Sequence, residues 1–158
     1  MVINVINDDP MIAIPVPPLP PPPPAVVVGI PTVIPGITVG DSDIGTTNMA
    51  VTLSVSYGKL NVTTSSSVTG NGTSALTIND TLANVNALIS GLQYTGIYTG
   101  ADILTITAND QSTPTAGTDS ATVNILVTAP PPPPLEPPIV HVTTAAQTVP
   151  GNSSLAIT

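Results

Sequence analysis

Two proline tracts, residues 15–24 and 130–138, hold 15 of the 20 prolines in this 158-residue chain. Proline lacks a backbone N–H and fixes φ, so neither tract can enter a helix interior or a central strand. Runs of this kind adopt the polyproline II helix, which rises about 3.1 Å per residue and behaves as a semi-rigid spacer. Regular structure is therefore expected between the tracts, over residues 25–129, a length that suits one domain. The apolar stretch over 11–40 is broken by Pro15, Pro17, Pro18, Pro20–Pro24, Pro31 and Pro35. No membrane-spanning helix is expected there.

Between the tracts the hydrophobic pattern has period two, the signature of half-buried strands. Val51, Leu53 and Val55 alternate with Thr52, Ser54 and Ser56, and Tyr57-Gly58 then turns the chain into Leu60 and Val62. Gly70-Asn71-Gly72 is a turn signal ahead of Leu76 and Ile78. Leu104, Ile106 and Ala108 form one inward face, and Val123, Ile125 and Val127 form another. Ile37 and Val39 begin a strand before Asp41, and Val26–Val33 supplies a first, edge strand that tolerates its proline. One segment departs from the pattern. Leu82, Val85, Ile89 and Leu92 follow helical spacing, with Asp80 or Thr81 placed to cap the start and Gly91 the end. This predicts a two-turn helix crossing between sheets. The fold expected is all-β, a Greek-key β-sandwich of about seven strands with one short crossing helix, flanked by polyproline linkers. Its core would be Val, Ile, Leu and Ala, with Tyr57, Tyr94 and Tyr98 as the larger pieces.

Residues 1–10, MVINVINDDP, echo residues 121–130, ATVNILVTAP, and the same offset carries Ile37-Thr38 onto Ile157-Thr158. Each copy reads as a last strand running into a proline-rich connector, the mark of a tandem array. The organisation expected is the end of a preceding repeat and an acidic linker at 1–10, then a proline-rich linker at 11–24. The sandwich at 25–129, a second linker at 130–138 and the start of a following repeat at 139–158 complete it. Array modules serve length, stiffness and display rather than chemistry.

Charge narrows the function classes. Lys59 is the sole lysine, there is no arginine, and nine acids bring the net charge to −8. One cation cannot replace the counterions on nucleic-acid phosphates, nor can it hold an anionic membrane surface. No nucleic-acid partner and no direct membrane insertion are expected. Without cysteine there is no disulfide or thiolate metal site, and a sandwich of about 100 residues can bury enough aliphatic surface without one. An enzyme is not expected either. The only histidine, His141, lies in the incomplete repeat, and general acid–base work lacks its usual residues. Asp41 and Asp43 sit two apart on a loop, with no tryptophan or phenylalanine to stack a sugar. Asn61, Asn71, Asn79 and Asn152 open Asn-x-Ser/Thr sequons, which count only in a host that glycosylates. The N-terminus shows no basic flank before an apolar stretch, so an export signal would lie outside this segment.

The runs ITVGDSDIGTTNMAVTLSVSYGKLNV, TINDTLANVNALISGLQYTG and ADILTITANDQ, in this order and spacing, resemble the cadherin-like repeats of very large bacterial surface adhesins. The resemblance covers about residues 37–129. It implies an immunoglobulin/cadherin-like sandwich strung in tandem, extracellular or at the cell surface, in a protein serving cell adhesion or biofilm formation. Its partners would be neighbouring repeats of the same chain and a cell-surface protein or glycan. The alternative is a binding module in its own right, taking carbohydrate or protein through loops at one pole.

Many members of that family bind calcium between repeats, and three segments resemble parts of the pattern. Asn7-Asp8-Asp9-Pro10 looks like the linker motif, Asp41-Ser42-Asp43 like the loop between the second and third strands, and Asn109-Asp110 like the acidic end of the sixth strand. The resemblance thus implies a Ca²⁺ site from Asp8, Asp41, Asp43, Asn109 and Asp110, with Asn7 adding an oxygen. Ca²⁺ takes six to eight hard oxygen ligands, and clustered carboxylates repel unless solvated, protonated or metal-bound. The same segments also read as ordinary turn chemistry, in which Asp and Asn bond their own backbone. Departures from the family are visible too. There is no acid over 25–40, the acidic motif in mid-repeat is replaced by the helix, and Val127-Thr128-Ala129-Pro130 lacks the acids of the first connector. We expect the 130–138 tract to supply stiffness where calcium cannot. Small-angle scattering should find that junction extended with or without chelator, and collapse in either buffer would reject the idea.

Overall fold

The computed structural model describes residues 6–14 and 25–136. The expectations for residues 1–5, for the 15–24 tract, for 139–158 and for His141 lie outside the described residues. Eleven strands and one helix follow in the order β1 (Met11–Ala13), β2 (Ala25–Val27), β3 (Thr32–Val33), β4 (Thr38–Gly40), β5 (Met49–Ser54), β6 (Gly58–Asn61), β7 (Val68–Thr69), β8 (Ala75–Asp80), α1 (Leu82–Ser90), β9 (Gln93–Gly96), β10 (Gly100–Asn109) and β11 (Thr118–Thr128). The chain is mostly β, in several sheets around one core, consistent with an all-β sandwich.

The largest sheet has the order β2-β11-β10-β5-β8-β7. Its centre follows directly from the alternation. On β5, Val51 and Leu53 point inward, and on β8 Leu76 and Ile78 do so, while the threonines between them face water. Leu53 lies opposite both Leu76 and Ile106, so cross-strand neighbours on the buried face are aliphatic, the unit of sheet stabilisation. A three-stranded sheet, β3-β9-β6, covers that face with Leu60 and Tyr94 buried.

α1 carries the chain from β8 in the large sheet to β9 in the small one, the crossing that the helical spacing predicts. Val85 and Ile89 are its buried face, and the Thr81 side chain accepts from the N–H of Asn84 as the N-cap. Asp80 bonds the N–H of Thr81 and the Asn84 amide, so both candidate cap residues are used. Asn86 reaches from the helix to the backbone of Val39, pairing with its N–H and its carbonyl at 2.8 Å each. The free edge of β4 is thereby closed by a side chain.

Four differences from the sequence reading have physical reasons. Val26–Val33 is two edge strands rather than one. β2 pairs in parallel with β11, Pro31 interrupts, and β3 then joins β9 on the other sheet. Short strands raise the count within 25–129 from about seven to ten, and β1 makes eleven among the described residues. Residues 11–13, expected within the linker, form β1 against β4, and Asp119 accepts the N–H of Ile12 at 2.7 Å. The strands on either side of residues 15–24, β1 and β2, are therefore both tied to β11, β1 through Asp119 and β2 by pairing. Of the three tyrosines only Tyr94 is core; Tyr57 and Tyr98 are exposed.

Candidate functional site

The β5 and β10 strands run antiparallel, Asn109 opposite Ala50 and Thr105 opposite Ser54. The loop after β4 and the loop after β10 thus meet at one pole, and the Tyr57 turn meets the start of β10 at the other. Residues 7–9 are seated on the first pole. Asn7 donates to Asp110 Oδ2 at 2.6 Å, the Ser42 hydroxyl donates to Asp8 Oδ2 at 2.6 Å, and the N–H of Asp8 reaches Asp43 Oδ2 at 3.2 Å. The fit is close enough that a Cβ on Gly117 would overlap Asp9 and press on Asp110.

Each acid plays a different part. Asp41 Oδ1 accepts the N–H groups of Asp43 and Ile44 at 3.0 Å, which is the turn chemistry read from the sequence. Its other oxygen, Oδ2, is buried without a hydrogen-bond partner, and so is Oδ1 of Asp43. Burial raises the Asp41 carboxyl above its ordinary value, and the neighbouring Asp43 carboxylate adds to the rise against the two N–H bonds. Asp110, the residue that follows β10, is fully buried. Burial alone would raise it. The N–H groups of Ser112 and Gly117 and the Asn7 amide outweigh that, and hold it below the ordinary range.

The structure therefore gathers Asn7, Asp8, Asp41, Asp43 and Asp110 at one pole. Asn109 is the exception, its side-chain oxygen accepting the N–H of Gln111 in its own turn. Among the described residues no three carboxylate or imidazole groups converge as a metal cage. As a donor set the pole fits a hard cation in part. Two unpartnered carboxylate oxygens are on hand, while Asp110 is already taken by N–H donors.

The opposite pole holds a second arrangement. Asp102 on β10 is 4% exposed. Its Oδ1 accepts the N–H of Ser56 at 3.0 Å and of Ile103 at 2.8 Å, and its Oδ2 accepts the N–H of Tyr57 at 3.0 Å and the Tyr94 hydroxyl at 2.8 Å. Burial pushes this carboxyl up, but the Tyr94 hydroxyl and three N–H groups outweigh it and leave it below the ordinary value. Tyr94 is shifted upward, by burial first and by Asp102 second. The sequence reading passes over Asp102, yet its signal is there. It shares the parity of Leu104, Ile106 and Ala108, so the buried face of β10 begins at one aspartate and runs on to another, Asp110. Tyr57 and Tyr98 stand over a shallow cleft of about 170 Å³ beside this network.

No helix among the described residues is long and apolar enough to cross a membrane. No protein-family model, curated protein or solved structure matches this chain.

Proposed function

We propose that this chain is a spacer repeat of a large extracellular adhesin-like protein, a cadherin-like Greek-key sandwich stiffened by Ca²⁺ at its acidic pole. One observation carries the reading. Asp41 Oδ2 and Asp43 Oδ1 are buried, close and without partners, in a chain whose single lysine sits on β6. Unpaired buried carboxylates are costly, and a divalent cation removes both the repulsion and the missing bonds. Asp41 and Asp43 would hold the ion with Asp8 beside them. Asp110 would act by orienting Asn7 and the 110–117 loop rather than as a ligand. A preceding repeat would enter along residues 7–9, so an ion at this pole would fix the angle between neighbours. The role is mechanical, holding a distal binding domain away from the cell, and no enzymatic step belongs to it.

Mass action gives the size of the effect. A ligand present at 100 times its Kd adds about 2.7 kcal/mol to stability. Thermal unfolding with calcium and with excess chelator, in the native chain and in Asp41→Asn/Asp43→Asn, tests it. We expect a calcium-dependent rise in melting temperature that the variant lacks. In chelator the variant should melt above the native chain, because it no longer buries two repelling carboxylates. The pH dependence has a definite sign. Asp41 has a raised folded value, so the folded chain binds more protons there. Chelated protein should gain stability from this group as pH falls through the raised value toward about 4. Identical curves with and without calcium at pH 7 would remove the metal from the proposal.

The alternative, a module binding carbohydrate or protein through pole loops, is favoured by one observation, the outward Tyr57 and Tyr98.

A further inference from the structure

The tyrosine pole carries an inference independent of calcium. We propose that the cleft between Tyr57 and Tyr98 binds a polyproline II segment, and that its occupant is the 130–136 tract of a second copy of this chain.

Aromatic side chains are scarce in this sequence, which has three tyrosines and no phenylalanine or tryptophan. Two of the three are spent on the surface, Tyr57 at 54% and Tyr98 at 66% exposure, with Ile97, the neighbour of Tyr98, also exposed. A cluster of exposed large side chains is informative where a lone one is not. The cleft they line also takes in Asp102, Val127 and Thr99. Asp102 has both oxygens filled by two donors each, the full capacity of a carboxylate. It has no acceptor left for a ligand, and its negative charge disfavours an anionic one. What remains is two aromatic rings, their hydroxyls and the Thr99 hydroxyl, which suits an uncharged ligand with apolar rings and carbonyl acceptors. A polyproline II helix is such a ligand. Its backbone makes no internal hydrogen bonds, and its rings pack into aromatic-lined grooves.

The cleft is also rigid. The N–H of Ile97 donates to the Tyr57 carbonyl at 3.0 Å, and Asp102 ties the backbone of residues 56 and 57 to β10. Both tyrosine turns are thus fixed before a ligand arrives, which lowers the ordering cost of binding.

The occupant is argued from the chain itself. The second proline tract starts three residues beyond Val127, and residues 129–136 are exposed throughout, Leu135 at 98%. A stiff run leaving the domain beside its own cleft does not double back into it, and its exposure agrees. Ligand and cleft are therefore both present and unmatched within one copy. They match between two copies of this chain. Glu136 is the tract's one charge, so an acidic second copy would approach through a nearly uncharged segment.

The test is a nuclear magnetic resonance titration of the full chain with a synthetic peptide of residues 129–138. Expected are saturable shifts of the backbone amides of Tyr57 and of residues 97–100. Affinity should weaken about tenfold in Tyr57→Ala and in Tyr98→Ala. Both positions are exposed, so each variant should keep the native melting temperature. A peptide of equal length with glycine and serine replacing the prolines should give no shifts. Parallel titrations with cellohexaose and chitohexaose separate the other occupant class. Shifts from a sugar and none from the peptide would overturn the proposal in favour of a glycan. Peptide shifts elsewhere on the domain, or none at millimolar peptide, would overturn it outright.

Discussion

Asp102→Ala should cost the domain about 4 kcal/mol, from buried donors left unpaired at roughly 1–3 kcal/mol each. That is a large share of the stability of a small domain, about 5–15 kcal/mol. The carboxylate is the sole side-chain partner of the Ser56 and Tyr57 N–H groups and the shortest partner of the Tyr94 hydroxyl. Removing it strands the two N–H groups and leaves the Tyr94 hydroxyl only the Tyr57 carbonyl, at 3.5 Å. Denaturant unfolding measures the loss. Asp102→Asn keeps the shape, but its NH₂ meets the Ser56 and Ile103 N–H groups one way round and the Tyr57 N–H the other, where only the Tyr94 hydroxyl can turn to accept it. It should therefore recover little. Tyr94→Phe added to Asp102→Asn removes the one group able to accept that NH₂, and should lower stability further. Full rescue by Asp102→Asn alone would show that charge and acceptor count are irrelevant at this site.

The same residue sets part of the acid limit. Asp102 has a folded value below its unfolded one, so the folded state binds fewer protons there. Its contribution is present in full above about pH 4 and is lost as pH falls through the folded value. Asp110 acts in the same direction, and Asp41 in the opposite one. The Asp102→Asn variant should show a shallower fall of melting temperature below about pH 4 than the native chain.

Why the sequence shows one pole and hides the other is a question of which forces leave a local trace. β5, β8 and β10 have one wet face and one dry face, so their parity is written into adjacent residues. α1 is legible because its buried residues recur at helical spacing and Thr81 and Gly91 bound it. β1 leaves no such trace. Met11–Ala13 lies in an apolar run cut by proline, and its strand character comes from β4 and Asp119, far away in sequence. Likewise, no composition count tells that Tyr94 is core and Tyr98 is not. The acids at residues 8, 41, 43 and 110 are visible by type alone. Which oxygens remain unpartnered depends on hydrogen bonds between segments far apart in the chain, from 7–9 to 41–43 and on to 110. Asp102 is readable by parity, but a charged residue at an inward position reads first as the end of a strand.

Gly58→Ala should destabilise by about 3 kcal/mol, near the top of the range for overpacking. A Cβ on Gly58 would run into the far side of the Tyr94 ring. In an exposed ring that overlap would be relieved by a small rotation. Tyr94 has no such freedom, being fully buried with its hydroxyl tied to Asp102. On the ladder Gly58 stands opposite Gly96, where a Cβ would strike the methyls of Val127 and crowd the same ring. The two glycines therefore make the slot in which the only core aromatic lies, and Asp102 locks it there. A double-mutant cycle separates this account from a general intolerance of β6. Once Tyr94→Ala has emptied the slot, adding Gly58→Ala should cost less than about 1 kcal/mol, giving a coupling of roughly 2 kcal/mol. Additive losses would mean that the backbone of Gly58, and not the ring above it, demands glycine. Because Tyr57 and Tyr98 ride on turns tied to this same network, Gly58→Ala should also blunt the peptide response at the tyrosine cleft, which exposed substitutions on the far side of the sheet would leave intact.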